Sequence, residues 1–199
     1  MMLIEETTVP DAALPVDAFK SHLRQGTGFA EVDLQTAVLK GFLRAAIAAI
    51  EARTGKALIS RLFSWTLPGW RSREGQGLPV APVGDLVQVV LIDAAAAETE
   101  LPLARFRLEP DSQRPVLRPA GALLPVVPTG SSLRLRFTAG YAEAWEELPA
   151  DLGQAVLLLA AHYYEYRNET ALSDGCMPFG VTSLVQRYRP LRLAPGYGQ

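Results

Sequence analysis

The chain has 199 residues, enough to bury a hydrophobic core without disulfides or a metal ion. Hydrophobic residues make up 49% of it and charged residues 20%, values typical of globular proteins and unlike those of disordered chains. The net charge of -2 argues against a protein that binds nucleic acid over its whole surface. The single cysteine, Cys176, excludes an intramolecular disulfide and a cysteine-rich zinc site. These properties predict one ordered domain over residues 1–199.

The sequence shows no sign of export or membrane insertion. Its N-terminus carries Glu5 and Glu6 where a signal peptide requires basic residues. The longest apolar run, Ala155–Ala161, is far shorter than the roughly 20 residues that cross a bilayer. We therefore expect neither secretion nor contact with a membrane.

Two helices are predicted in the first quarter of the chain. Pro15 starts a short amphipathic helix, and a longer helix spans Asp33–Thr54, with Gly55 placed as its C-terminal cap. The long helix has a wide apolar arc, so it should be buried on several sides. Its main apolar stripe is predicted to be Leu34, Val38, Phe42, Ala45, Ala49 and Ala52, flanked by Leu39, Leu43, Ile47 and Ile50.

The middle of the chain, residues 58–140, has the pattern of a β region. Short runs rich in Val, Thr and aromatic residues are separated by Gly and Pro, which limit the length of each strand. Leu133–Phe137 alternates strictly between apolar and basic residues, as a strand with one wet face does. This stretch is predicted to be a small antiparallel β region inserted between helices.

The last quarter returns to helical patterning and ends in a basic segment. Pro149 and Asp151 open a strongly apolar helix that runs to Tyr166. Acidic residues are absent after Asp174, whereas arginines continue, which indicates an interaction tail at residues 188–199. The predicted fold class is α+β: a mainly helical body of two long helices plus short ones (16–57 and 148–187), the inserted β region and an extended C-terminal tail.

No set of residues resembles a catalytic, cofactor or metal site. His162 and Glu165 share a helix face, but a second such pair would be needed to hold a metal. A triad of Ser60, His162 and Asp151 lacks the sequence motif that would present the serine as a nucleophile. The sequence therefore predicts a protein that is not an enzyme and binds neither cofactor nor metal.

Four stretches, taken in order, carry a family resemblance. They are the opening helix Ala18–Arg24, the helix end and Thr-Gly-Lys-Ala-Leu step Ala45–Leu58, the passage Phe137–Tyr141 with Leu148–Leu152, and the pair His162–Arg167 and Pro178–Val181. This series resembles the head–tail connector (adaptor) family of long-tailed phages and gene transfer agents. The resemblance covers about residues 16 to 190.

The resemblance implies a structural role in the neck of a virion or phage-like particle, assembled in the bacterial cytoplasm. Members form a homo-oligomeric, typically dodecameric ring under the portal protein and present a surface to the next tail-side neck or stopper protein. DNA passes through their channel without sequence-specific binding. The tail is then expected to bind the portal through paired charges and small apolar contacts. The residues predicted for this contact are Arg187, Arg189, Leu191, Arg192, Leu193 and Tyr197.

Two other functions remain open from the sequence alone. One is a small intracellular ligand-binding or enzymatic domain with its site in the β region, around Trp65 and Trp70. The other is a neck protein that contacts DNA through inward-facing Arg134 and Arg136.

Overall fold

A computed structural model describes residues 2–24, 32–167 and 177–189. The strands are β1 (Met2–Glu5), β2 (Arg61–Leu67), β3 (Gln76–Gly77), β4 (Val83–Ile92), β5 (Glu98–Glu100), β6 (Phe106–Glu109), β7 (Val116–Pro119) and β8 (Ser132–Ala139). The α-helices are α1 (Val16–His22), α2 (Val32–Thr54), α3 (Ala150–Glu165) and α4 (Phe179–Val185). Single 3-10 turns lie at Asp11–Ala13, Leu103–Arg105, Trp145–Glu147 and Gln186–Tyr188.

The strands form two antiparallel sheets. One has five strands in the order β1-β2-β8-β4-β5, and the other has three in the order β3-β7-β6. The central strand, β8, shows the predicted alternation. Leu133, Leu135 and Phe137 are fully buried, and Arg134 and Arg136 lie on the opposite face. The apolar face of this sheet packs with residues of β6 and β7, from the three-stranded sheet, in a core of its own.

The helices enclose a second core, in which α2 and α3 pack against each other and α1 and α4 cover them. Phe42 and Tyr164 meet edge to face across the α2–α3 contact, with ring centres 5.9 Å apart. Over residues 35–54 of α2 the predicted flank is buried more deeply than the predicted stripe. The buried residues are Leu39, Leu43, Ala46, Ile47, Ile50 and Thr54. In the stripe, Phe42 and Ala49 are partly buried against this core, whereas Val38 is 50% exposed and Ala45 and Ala52 are exposed.

The two cores are joined where α2 turns into β2. Gly55 ends α2 with φ +67°, a conformation that favours glycine, and its N–H donates to Glu51 O, as expected of the predicted cap. The next residues then run beside the segment that follows β8. Tyr141 N–H donates to Leu58 O (3.0 Å), and Ser60 N–H donates to Ala142 O (2.7 Å). The two middle stretches of the family resemblance therefore lie side by side.

The predicted fold class is wrong in its balance. Helices make up 37% of the structure and strands 27%, arranged in four α-helices and two sheets among the described residues, so the body is not mainly helical and is not built on two long helices. The reason is energetic, because the β region forms a hydrophobic core of its own. This core buries large side chains, among them Phe63, Trp65 and Phe137, and the region is not a small addition to a helical core. The N-terminal segment also contributes β1, which the sequence pattern did not predict.

Truncation of one α3 side chain tests the helical core. Leu159 is 1% exposed and contacts this core from α3, so Leu159→Ala should lower the free energy of unfolding by about 2–5 kcal/mol. Phe42→Ala should cost less, because Phe42 is only half buried. Chemical denaturation of both variants measures the difference, and a shift near zero for Leu159→Ala would contradict the packing described here.

Candidate functional site

Tyr188, next to the last described residue, is anchored in the body of the protein. Its side chain is buried at the end of the 3-10 turn Gln186–Tyr188, and its ring packs edge to face on Tyr141 with centres 5.7 Å apart. The Tyr188 hydroxyl donates to Asp151 Oδ1 at the start of α3 (2.7 Å). Tyr188 is therefore fixed to both the helical core and the segment after β8.

Arg187 belongs to the same network. Its guanidinium pairs with Asp151 (2.8 Å) and donates to the Tyr188 hydroxyl (2.5 Å). The hydrogen bond to Tyr188 is the main cause of a raised Arg187 pKa, and burial raises the pKa of Tyr188 and brings that of Tyr141 to about 12. Both phenols therefore stay neutral at physiological pH, where Arg187 and Asp151 balance each other.

The six residues predicted to bind the portal are not all in the described part of the chain. Arg187 has a 69% exposed side chain but is already paired with Asp151, and Arg189 is exposed beside it. Leu191, Arg192, Leu193 and Tyr197 lie outside the described residues. Portal binding by this set remains a prediction, and the structure places only its starting point.

The candidate catalytic residues do not come together. Asp151 is in the first turn of α3 and His162 in the last, 11 positions later, which separates them by about 16 Å along the helix axis. Asp151 is also occupied by Tyr188 and Arg187. Among residues 2–24, 32–167 and 177–189, no group of His, Cys, Asp and Glu side chains is arranged to hold a metal ion.

The alternative ligand site in the β region corresponds to an open pocket of about 500 Å³ beside Trp65. Trp65 itself is 3% exposed, and the pocket is lined mainly by apolar and backbone groups around Leu67 and Leu78. Its polar side chains are Arg71 and Gln76, and the Gln76 amide is already bonded to Arg71 N–H and Gly77 O. Among the described residues, none that lines this pocket supplies an acid–base pair.

The two arginines considered for DNA contact are neutralised on the sheet surface. Arg134 pairs with Glu98 of β5, and Arg136 pairs with Glu6, which follows β1. The hydrogen bond from Arg136 is the main cause of a lowered Glu6 pKa, so both partners are charged at neutral pH. In the described structure both arginines are therefore held in ion pairs and are not free to bind phosphates.

Comparison with known proteins decides the family. No family profile and no curated protein matches the chain. Among solved structures, a chain in the neck of an empty GTA particle, computed with C6 symmetry, is 51% identical over 100% of both chains, with a TM-score of 0.89. The chain belongs to the head–tail neck proteins of gene transfer agent (GTA) particles.

Two further structures of the same kind resemble this neck protein over almost its whole length. A chain of the virion of a native GTA particle is 51% identical, covers 98% of this chain and 99% of its own, and has a TM-score of 0.86. A chain in the neck of a native GTA particle, computed with C12 symmetry, is 47% identical over 100% of both chains, with a TM-score of 0.83. The resemblance predicted from the sequence is thus confirmed, as is the place of the protein in the particle neck.

Helices long and apolar enough to span a membrane are absent from the described residues. The network of Tyr188, Asp151 and Arg187 was missed by sequence reasoning, which considered Asp151 as a helix opener and as a member of a rejected catalytic triad.

Proposed function

We propose that this neck protein acts as a non-enzymatic head–tail adaptor, assembled as a homo-oligomeric ring under the portal of a DNA-filled head. The observation that carries the proposal is the full-length similarity to chains in GTA necks computed with C6 and C12 symmetry. A ring of twelve identical subunits satisfies both symmetries, because sixfold rotation is contained in twelvefold rotation. This supports a dodecamer.

The hydrogen bonds that join the helical and β parts of the subunit suit assembly into a ring. In a cyclic ring every subunit makes the same head-to-tail interface, and the ring closes only if the rotation between neighbours is fixed. The passages after α2 and β8, bonded through Leu58 and Tyr141, tie the helical and β parts together. A subunit braced in this way can hold a fixed angle to its neighbours.

The tail is proposed to bind the portal. Tyr188 fixes its exit, and Arg189 is exposed immediately beyond it, free of the ion pair that occupies Arg187. Pro190 and Pro195 favour an extended segment that loses little entropy on docking, and the ring repeats each weak contact. The opposite side of the ring would contact a tail-side neck or stopper protein. DNA would pass through the channel without sequence-specific contacts.

Removal of the tail tests this function. The predicted tail boundary at residue 188 needs adjustment, because Tyr188 is packed into the body, so the truncation should remove residues 190–199 only. The truncated protein should keep the melting temperature of the full chain, yet particles made with it should contain heads without tails and little bound adaptor.

Particle counts by electron microscopy and immunoblots of purified heads measure the effect. Tyr188→Ala in the full-length chain is the control, because it removes the anchor but keeps the tail, and it should lower stability as well as assembly. Normal numbers of tailed particles from the truncated protein would contradict the proposed portal contact.

A further inference from the structure

One side of α2 is apolar and uncovered by the rest of the described chain. Its residues are small, and their spacing of three or four places them in one row along the helix. The members of this α2 row are Val38, Gly41, Ala45, Ala48 and Ala52, all of them exposed.

A groove of about 270 Å³ continues the row toward the sheet. We call it the α2–β1 groove. Its apolar wall consists of Leu3, Ala48, Ala52, Ala57, Phe63 and Val80. Ala48 and Ala52 belong to both the row and the groove, so the two features form one continuous surface.

The groove also contains a lysine without a partner. Lys56 lines it and is only 2% exposed, yet its ammonium forms no ion pair or hydrogen bond with the described residues. Glu5 and Glu51, the carboxylates that line the same groove, are both bound by Arg61, at 2.8 and 2.6 Å. Burial lowers the pKa of Lys56, against a weaker opposing effect of Asp111, which does not form an ion pair with it.

A buried cation without an ion pair is costly, and nearly all buried charges in proteins are paired. Because Arg61 binds the carboxylates that line the groove and Asp111 does not form an ion pair with Lys56, a carboxylate brought in by another molecule would find this lysine unpaired. The occupant of the groove should therefore combine apolar side chains with one carboxylate.

We propose that the α2–β1 groove and the α2 row form one half of the ring interface, and that a neighbouring copy of the chain inserts an apolar segment whose carboxylate pairs with Lys56. This inference rests on the proposed function. A second copy is the occupant because similar chains are found in particle necks computed with cyclic symmetry. In a cyclic ring each subunit presents two different, complementary surfaces to its neighbours. The chain can supply the anion, since Glu143 and Glu146 are exposed and lie outside the groove.

Photo-crosslinking in assembled particles tests which molecule occupies the groove. p-Benzoylphenylalanine replaces Ala48, whose exposed position tolerates a larger side chain, and particles are irradiated. A product of twice the subunit mass, made only of this chain, is expected. The same probe at exposed Ala122, in the loop before β8, is the control. A product containing a different neck protein, no product, or equal dimer yields at both positions would overturn the proposal.

Lys56→Met separates a ring contact from a structural role. The substitution removes an unpaired buried charge and keeps the length of the side chain, so the melting temperature of the isolated chain should stay unchanged or rise. Incorporation into particles should fall roughly 30-fold, because the neighbour's carboxylate loses its partner in the interface. Unchanged incorporation, or a parallel fall in melting temperature and incorporation, would overturn the role of Lys56.

The failure of this inference can be told apart from failure of the portal contact in the proposed function. If the groove does not contact a second copy, the 190–199 truncation still yields tailless heads. If the portal contact is wrong, that truncation leaves particles normal, whereas the crosslink from Ala48 still joins two copies.

Discussion

Gly140→Ala is expected to prevent stable folding. A Cβ atom at this position would lie 2.3 Å from both the N and Cα atoms of Ser60 and 2.6 Å from the carbonyl carbon of Ile59. These are backbone atoms, so no rotamer change can relieve the overlap. Both segments are also held in place: Gly140 N–H donates to Pro82 O (3.0 Å), and Ser60 N–H donates to Ala142 O (2.7 Å).

The expected loss exceeds about 4 kcal/mol, a size reached only by the most disruptive single substitutions. It should appear as insoluble protein or as a chain that unfolds without added denaturant. The damage would fall on the junction of the two cores, so neither the helical nor the β part could keep its position.

Gly41→Ala is the matched control for the isolated chain. Gly41 lies inside α2, and an added Cβ would meet nothing within 4 Å. Because alanine favours a helix over glycine, this variant should be more stable by roughly 0.5–1 kcal/mol. Denaturation curves of the two glycine variants should move in opposite directions. Wild-type stability of Gly140→Ala would refute the close approach described here.

The strongly periodic elements could be predicted from the sequence. α2, α3 and β8 each have a pattern that repeats over several turns or residues, and local periodicity is the clearest secondary-structure signal. The side of α2 that faces the core could not be predicted with the same success. Its apolar arc includes both Val38 and Leu39, and only the position of α3 determines that Leu39 is buried.

The proportion of β structure in the fold was underestimated from the sequence because its strands are short and irregular. β4 pairs with β8 through two register shifts, at Val83/Leu86 and Leu86/Gln88, which break the period of two that marks a strand. β1 has only four residues, all exposed, and therefore no burial pattern. It is a strand because β2 pairs with it and Arg61 binds Glu5, which are contacts made more than 50 positions away in the sequence.

The candidate site also combines a feature that the sequence predicts with features that it does not. The basic character of the tail can be predicted from composition, whereas its anchor cannot. Tyr188 meets Asp151 across 37 positions, and neither residue has a local pattern that predicts the other. The unpaired state of Lys56 likewise depends on Arg61 taking the two nearby carboxylates, a distribution that only the folded chain defines.

Replacement of Arg61 is the second change with a large expected effect. Its guanidinium, with a side chain 4% exposed, donates to both oxygens of Glu5 and both oxygens of Glu51, joining β1, β2 and α2. Burial opposes its charge, but the hydrogen bonds with Glu51 and Glu5 outweigh burial and raise the Arg61 pKa. Arg61→Met leaves Glu51, 12% exposed, without a counter-charge. This should cost about 3–5 kcal/mol.

A second substitution shows whether the uncompensated charge is the cause. In Arg61→Met/Glu51→Gln the buried carboxylate is gone, while the amide oxygen can still accept the Leu58 N–H that Glu51 binds at 2.7 Å. Much of the lost stability should therefore be recovered, as expected when the loss comes from a buried carboxylate without a counter-charge. Arg136→Met, on the neighbouring strand, is the surface control and should cost much less stability than Arg61→Met, because its pair with Glu6 is partly exposed. Urea denaturation of the three variants measures these values. Equal losses for Arg61→Met and Arg136→Met would show that the Arg61 cluster contributes no more than a surface ion pair.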